Sequence, residues 1–197
     1  MALVGCRPHM AQATRNGPRA ESAAAAAEAP PRRRITKRKV VEDRARSYFE
    51  AVGARDTEAM VEHWTEDGVA DIVPYGILRG QGEIAAFFKR LFDAMPDLET
   101  SVDRVAATAH LAAVEWRMSG HFTGAPFMDL EATGRRIDLR GLDLLEIEDG
   151  DIVGNTAYYD GASFARQVGM LPSEGSGAER AMKGAFNAVT KMRRRVA

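Results

Sequence analysis

The stretch Gly141-Leu142-Asp143-Leu144-Leu145-Glu146-Ile147 reads as a half-buried β-strand that carries one carboxylate out of place. Period-two alternation puts Ile137, Leu139, Gly141, Asp143, Leu145 and Ile147 on one face, and Arg136, Asp138, Arg140 and Glu146 on the other. An acid on an apolar face loses its hydration, which disfavours the charged form unless a partner compensates. Two roles fit such a group: the anchor of a buried hydrogen bond, or a reactive group in a pocket.

The segments around this strand set its context. Asp149-Gly150 is a tight hairpin signal joining the strand near 135–148 to another near 151–160. Two further strand-like stretches precede them, near 98–108 and 110–122. Upstream, Val41, Ala45, Tyr48, Phe49 and Val52 recur at helical spacing through about Ala54. Asp56 is placed to cap a short second helix carrying Met60, Val61 and Trp64. Glu66-Asp67-Gly68 predicts a turn, and Val69 to Val73 a strand ended by Pro74. A third helix over about Gln81 to Phe92 presents Ile84, Phe87, Phe88 and Leu91. Helices first and long antiparallel strands afterwards predict an α+β domain over 40–172, in which a curved antiparallel sheet wraps three helices around an apolar pocket.

Composition narrows the functional classes. The chain has 197 residues and 45% hydrophobic content, enough for one core. Residues 1–40 hold nine Lys/Arg against two acids, whereas residues 41–197 hold 18 against 26. An acidic body is a poor nucleic-acid binder, because phosphate contacts need a basic face. No apolar run reaches the length of a membrane span, so no membrane insertion is expected. Residues 1–39, rich in Ala, Arg and Pro, predict a disordered basic tail. Cys6, the single cysteine, excludes an internal disulfide and points to a reducing, cytoplasmic setting. Residues 173–197 predict a linker and an amphipathic helix with Met182, Phe186 and Val189 on its apolar stripe. That stripe needs a surface to dock on, either on its own domain or across a dimer, and a homodimer is expected. The histidines show no metal-ligand spacing, so neither a metal nor another cofactor is expected. The glycines at 76, 80 and 82 lack the spacing of a dinucleotide cradle.

Particular motifs carry a family resemblance. Trp116-Arg-Met-Ser-Gly120-His121-Phe-Thr-Gly124, Thr133-Gly134-Arg135, Asp149-Gly150-Asp-Ile152, and Tyr159-Asp160 through Gln167-Val-Gly169 resemble the SnoaL-like polyketide cyclases. These belong to the nuclear-transport-factor-2-like superfamily, together with ketosteroid isomerases and limonene epoxide hydrolases. The resemblance spans roughly residues 41–172 and implies a cone-shaped fold. It also implies that Tyr48 and Asp143 stand where the isomerases keep a tyrosine and a protonated aspartate as oxyanion donors. The positions of the usual bases are filled by Ile72 and Ala157, and Gly141 stands where the epoxide hydrolases place an arginine.

These readings lead to a cofactor-independent enzyme acting on a small hydrophobic carbonyl compound of polyketide, steroid or terpenoid type. Enolisation would lead to isomerisation, cyclisation or dehydration. Tyr48 and Asp143 are the expected oxyanion donors, and Asp71 or His110 the proton acceptor. Trp64, Phe87, Trp116, Met118, Phe127 and Tyr159 are the expected lining. A non-catalytic binder of an apolar ligand, or a dimeric module with a filled cavity, stands as the alternative.

Overall fold

Apolar side chains at 41, 45, 48, 49 and 52 form one stripe, and the first helix, α1 (Arg38–Ala54), turns that stripe inward. The protein is described by a computed structural model covering residues 38–196. The tail reading over 1–37 and Cys6 lie outside the described residues. Asp56 accepts a hydrogen bond from the Ala59 amide (3.0 Å) and starts α2 (Thr57–Val61). The strand β1 (Trp64–Val73) follows directly, then β2 (Gly76–Arg79), α3 (Gly80–Ala94), β3 (Glu99–Ala107) and β4 (Leu111–His121). The chain continues through β5 (Arg136–Glu148), β6 (Asp151–Tyr159), α4 (Gly161–Val168) and α5 (Gly177–Val196). No described helix is long and apolar enough to cross a membrane.

The six strands form one open sheet in the order β2-β1-β6-β5-β4-β3. All neighbours are antiparallel except β1 and β6, which run parallel. Alternation holds along β5: Ile137, Leu139, Asp143, Leu145 and Ile147 are buried, while Arg136, Asp138, Arg140 and Glu146 are exposed. Asp149 (φ 49°) and Gly150 (φ 97°) both occupy the left-handed region, as a two-residue hairpin turn requires. Asp160 caps α4 through the amides of Ala162 and Ser163, and Gln167 exchanges two hydrogen bonds with the Asp138 backbone. These contacts hold α4 across the edge of β5.

Two segments depart from the sequence reading. Trp64 belongs to β1, where it pairs with Ile152, and not to the second helix. The residues expected as a turn, Glu66-Asp67-Gly68, form an irregularity within β1, across which the register to β6 shifts. Packing explains the difference. A Cβ on Gly68 would come within 2.7 Å of the Trp64 ring, so the glycine lets the indole fold back over its own strand. The short β2 gave no periodic signal because it has only four residues.

Candidate active site

Between α1, α3 and the inner sheet face lies a cavity of about 90 Å³ that opens to solvent at its mouth. Tyr48 reaches it from α1, Phe87 and Phe88 from α3, Trp116 and Met118 from β4, and Asp143 from β5. Asn155, Ala157 and Tyr159 come from β6, and Phe164 from α4. Aromatic rings make up much of the wall, with Phe87 and Phe127 packed at 5.7 Å and Tyr159 and Phe164 at 6.4 Å. Among the described residues, no Lys, Arg or His lines the cavity. An anionic ligand would therefore lose its hydration without gaining a counter-charge.

Asp143 is 6% exposed and both of its oxygens are engaged. The Trp116 indole N–H donates to Oδ1 (2.7 Å), and the Asn155 amide donates to Oδ2 (2.7 Å). Sheet register explains why these two residues arrive. Trp116 pairs with Gly141 on one side of β5 and Asn155 with Leu145 on the other, so each is a diagonal neighbour of Asp143 on the same face. Gly141 is what lets the indole lie there. A Cβ at that position would fall 2.1 Å from Trp116 Cζ2.

Burial pushes the Asp143 carboxyl up to about 6, against the pull of the Trp116 and Asn155 donors. A group at that value is mostly ionised at neutral pH, and two N–H donors aimed at its oxygens match the ionised form. Tyr48 is 1% exposed. Burial raises its phenol well above the ordinary range, the Asp143 charge raises it further, and the Trp64 N–H opposes both. The phenol therefore keeps its proton and is a donor. Trp64 Nε1 approaches Tyr48 closely enough for this effect, with the rings edge-on at 5.9 Å, yet it completes no hydrogen bond.

The cavity brings together Tyr48, Asp143, Phe87, Trp116, Met118, Phe127 and Tyr159. Three expected residues lie elsewhere. Asp71 alternates to the outer sheet face opposite Ile77, because its neighbours Ala70 and Ile72 point inward. His110 is exposed in the turn between β3 and β4, one residue before the strand in which alternation would have aimed it. Trp64 is buried behind Tyr48 and does not line the cavity. Ile72 and Ala157 do line it, so the positions of the usual bases present only hydrocarbon. Asp143 also differs from the expectation carried by the resemblance: its partners favour a charged acceptor over a protonated donor. Asn155 escaped the sequence reading, although the alternation that placed Tyr159 with Ala157 also places Asn155 on that face. Among the described residues, no cluster of three or more His, Cys, Asp or Glu side chains is arranged to hold a metal.

The SnoaL-like domain profile matches residues 45–155. AclR of Streptomyces galilaeus, a candidate hydroxylase, superposes with a TM-score of 0.63 at 17% identity, covering 80% of this chain and 98% of its own. A SnoaL-like polyketide cyclase candidate from Jannaschia sp. CCS1 gives 0.63 at 20% identity, with 71% and 98% covered. IdmH of Streptomyces antibioticus, a candidate polyketide cyclase, gives 0.56 at 23% identity, with 64% and 96% covered. At such identities the likeness is one of fold. No curated protein matches the sequence.

Proposed function

The chain belongs to the SnoaL-like domain family, and from that premise we propose that it is a cofactor-independent acid–base catalyst of cyclase or isomerase type. Its substrate is a neutral, hydrophobic carbonyl compound. Asp143 is the general base. Its ionised carboxylate takes a proton from the carbon next to the carbonyl, the C–H electron pair moves into the carbonyl, and negative charge gathers on the oxygen. Tyr48 donates a hydrogen bond to that oxygen as the charge develops. Asp143, now protonated, returns the proton at a second carbon; in a cyclisation the enolate carbon instead attacks a second carbonyl of the same substrate, and Asp143 returns its proton to the alkoxide so formed. Trp116 and Asn155 hold the carboxylate in place. The observation that carries this reading is the buried carboxylate with two N–H donors beside a protonated phenol, in a chamber to which the described residues contribute no cation. We place this activity in the cytosol, in keeping with the single cysteine.

A polycyclic phenol tests the arrangement, because its hydroxyl presents the shape and polarity of an enol. Titration calorimetry is expected to show binding that weakens roughly tenfold in Tyr48→Phe, the worth of about one hydrogen bond. Unchanged affinity would remove Tyr48 from the site. Hydrogen–deuterium exchange at the α-carbon of a bound cyclic ketone, followed by NMR, separates a catalyst from a carrier.

The ionisation of Asp143 sets the pH dependence. Exchange is expected to rise through about pH 6 and then level off. Trp116→Phe keeps the ring but removes the N–H that stabilises the charge, so the midpoint should move upward. A midpoint that stays in place would show that Asp143 is not the titrating base.

Stability runs the other way. The folded carboxyl binds its proton more tightly than the unfolded one, whose value is 3.8, so this contribution is full below about pH 4 and is lost as pH rises through about 6. The swing is about 3 kcal/mol. Denaturant unfolding of the wild type and Asp143→Asn at pH 4 and pH 7 should show the difference between them shifting toward the variant at the higher pH.

A further inference from the structure

Past its first turn, α5 leaves its own body. Glu179 pins the start, accepting from the Gly175 amide (2.8 Å) and pairing with Lys183 (3.0 Å) and Arg166 (3.8 Å). From Arg180 to Val189 every residue is exposed. Met182, Phe186, Val189 and Met192 are 45%, 70%, 43% and 60% exposed, and they follow one another at intervals of four, three and three residues along one face. The opposite face carries Arg180, Lys183, Lys191 and Arg194. A 20-residue helix spans about 30 Å, and without packing on its apolar face a helix of this length is marginal in water.

A matching surface exists on the outside of the sheet. Leu142, Tyr158 and Val73 stand side by side across β5, β6 and β1, at 39%, 48% and 37% exposure, and Ile77 on β2 (54%) extends the patch. Asp71 and Glu146, on this same face, have no ion-pair partner among the described residues, nor does Arg193, which follows Val189 by four residues and so shares the face of the apolar stripe. The overall charges complement each other too. Residues 177–197 hold six Lys/Arg against one acid, and residues 38–176 hold 14 against 25.

We propose that α5 is an exchanged arm that clasps a second copy of this chain, seating Met182, Phe186 and Val189 on the partner's Leu142–Tyr158–Val73 patch. Charge favours this occupant over two others. Pairing of α5 with another α5 brings cations together, and an anionic membrane repels the acidic body. The two-fold arrangement buries both arms and both patches at once.

Sedimentation of the full chain across a concentration series is expected to show a dimer that dissociates at least tenfold more readily in Phe186→Glu and in Tyr158→Glu. Circular dichroism melting is expected to confirm that both variants remain folded. In a Cys6→Ser background, a Phe186→Cys chain mixed with a differently tagged Tyr158→Cys chain should form the mixed disulfide under oxidation. A monomer at all concentrations, a dimer indifferent to both substitutions, or crosslinks only between two Phe186→Cys chains would each overturn the proposal. So would Phe186-dependent flotation of a monomeric protein with phosphatidylserine vesicles.

Discussion

Asp143→Asn is expected to lower α-proton exchange by 10²–10⁴-fold, the usual contribution of a positioned base. The substitution keeps the volume and one acceptor, so the chamber and its aromatic wall stay in place. It removes the lone pair and charge that accept the proton, and no neighbour replaces them. Ile72 and Ala157 are hydrocarbon, Asp71 faces the other side of the sheet, and His110 sits exposed in a turn. Tyr48 would still polarise the carbonyl, so residual exchange should persist and vanish only in the double variant with Tyr48→Phe. The measurement is NMR-detected deuterium incorporation under saturating ketone. A loss smaller than about tenfold would show that the proton goes elsewhere, and the role of Asp143 would shrink to holding Trp116 and Asn155.

The largest stability effect is expected at a residue without a side chain. Gly141→Ala places a methyl 2.1 Å from Trp116 Cζ2, inside any permitted contact, and two more ring atoms lie at 2.5 Å. The indole must leave or the strands must part. Overpacking of this kind costs about 1–3 kcal/mol, and loss of a hydrogen bond to a buried charge adds about 1.5–3 kcal/mol. Chemical denaturation should therefore show a loss of several kcal/mol, accompanied by an upward move of the Asp143 titration. Trp116→Leu introduced together with Gly141→Ala should recover part of the loss, since the smaller side chain vacates the clash. Additive effects in that double-mutant cycle would mean the two residues do not share the space.

Gly141 illustrates how far sequence reasoning reaches. Its position on the inner face follows from alternation, and its mismatch with the arginine of the epoxide hydrolases is visible in the resemblance. That it makes room for an indole from the neighbouring strand is not visible, because the pairing of Trp116 with Gly141 depends on register between strands 25 residues apart. The same holds for Asn155. Its face was legible, but its hydrogen bond to Asp143 depends on the diagonal offset across β5 and β6. Trp64 shows the reverse failure: helical spacing and a turn-like Glu-Asp-Gly argued locally for the wrong element, and packing of the ring over Gly68 overrode them.

Local periodicity and caps, set by covalent geometry within a few residues, were enough to determine which face of β5 carries Asp143, where the β5–β6 hairpin turns, and which aspartates start α2 and α4. The charge state of Asp143 and its company were decided by the tertiary structure alone. Burial and hydrogen bonding act through space, and only the assembled sheet sets one strand's donors against another strand's acid.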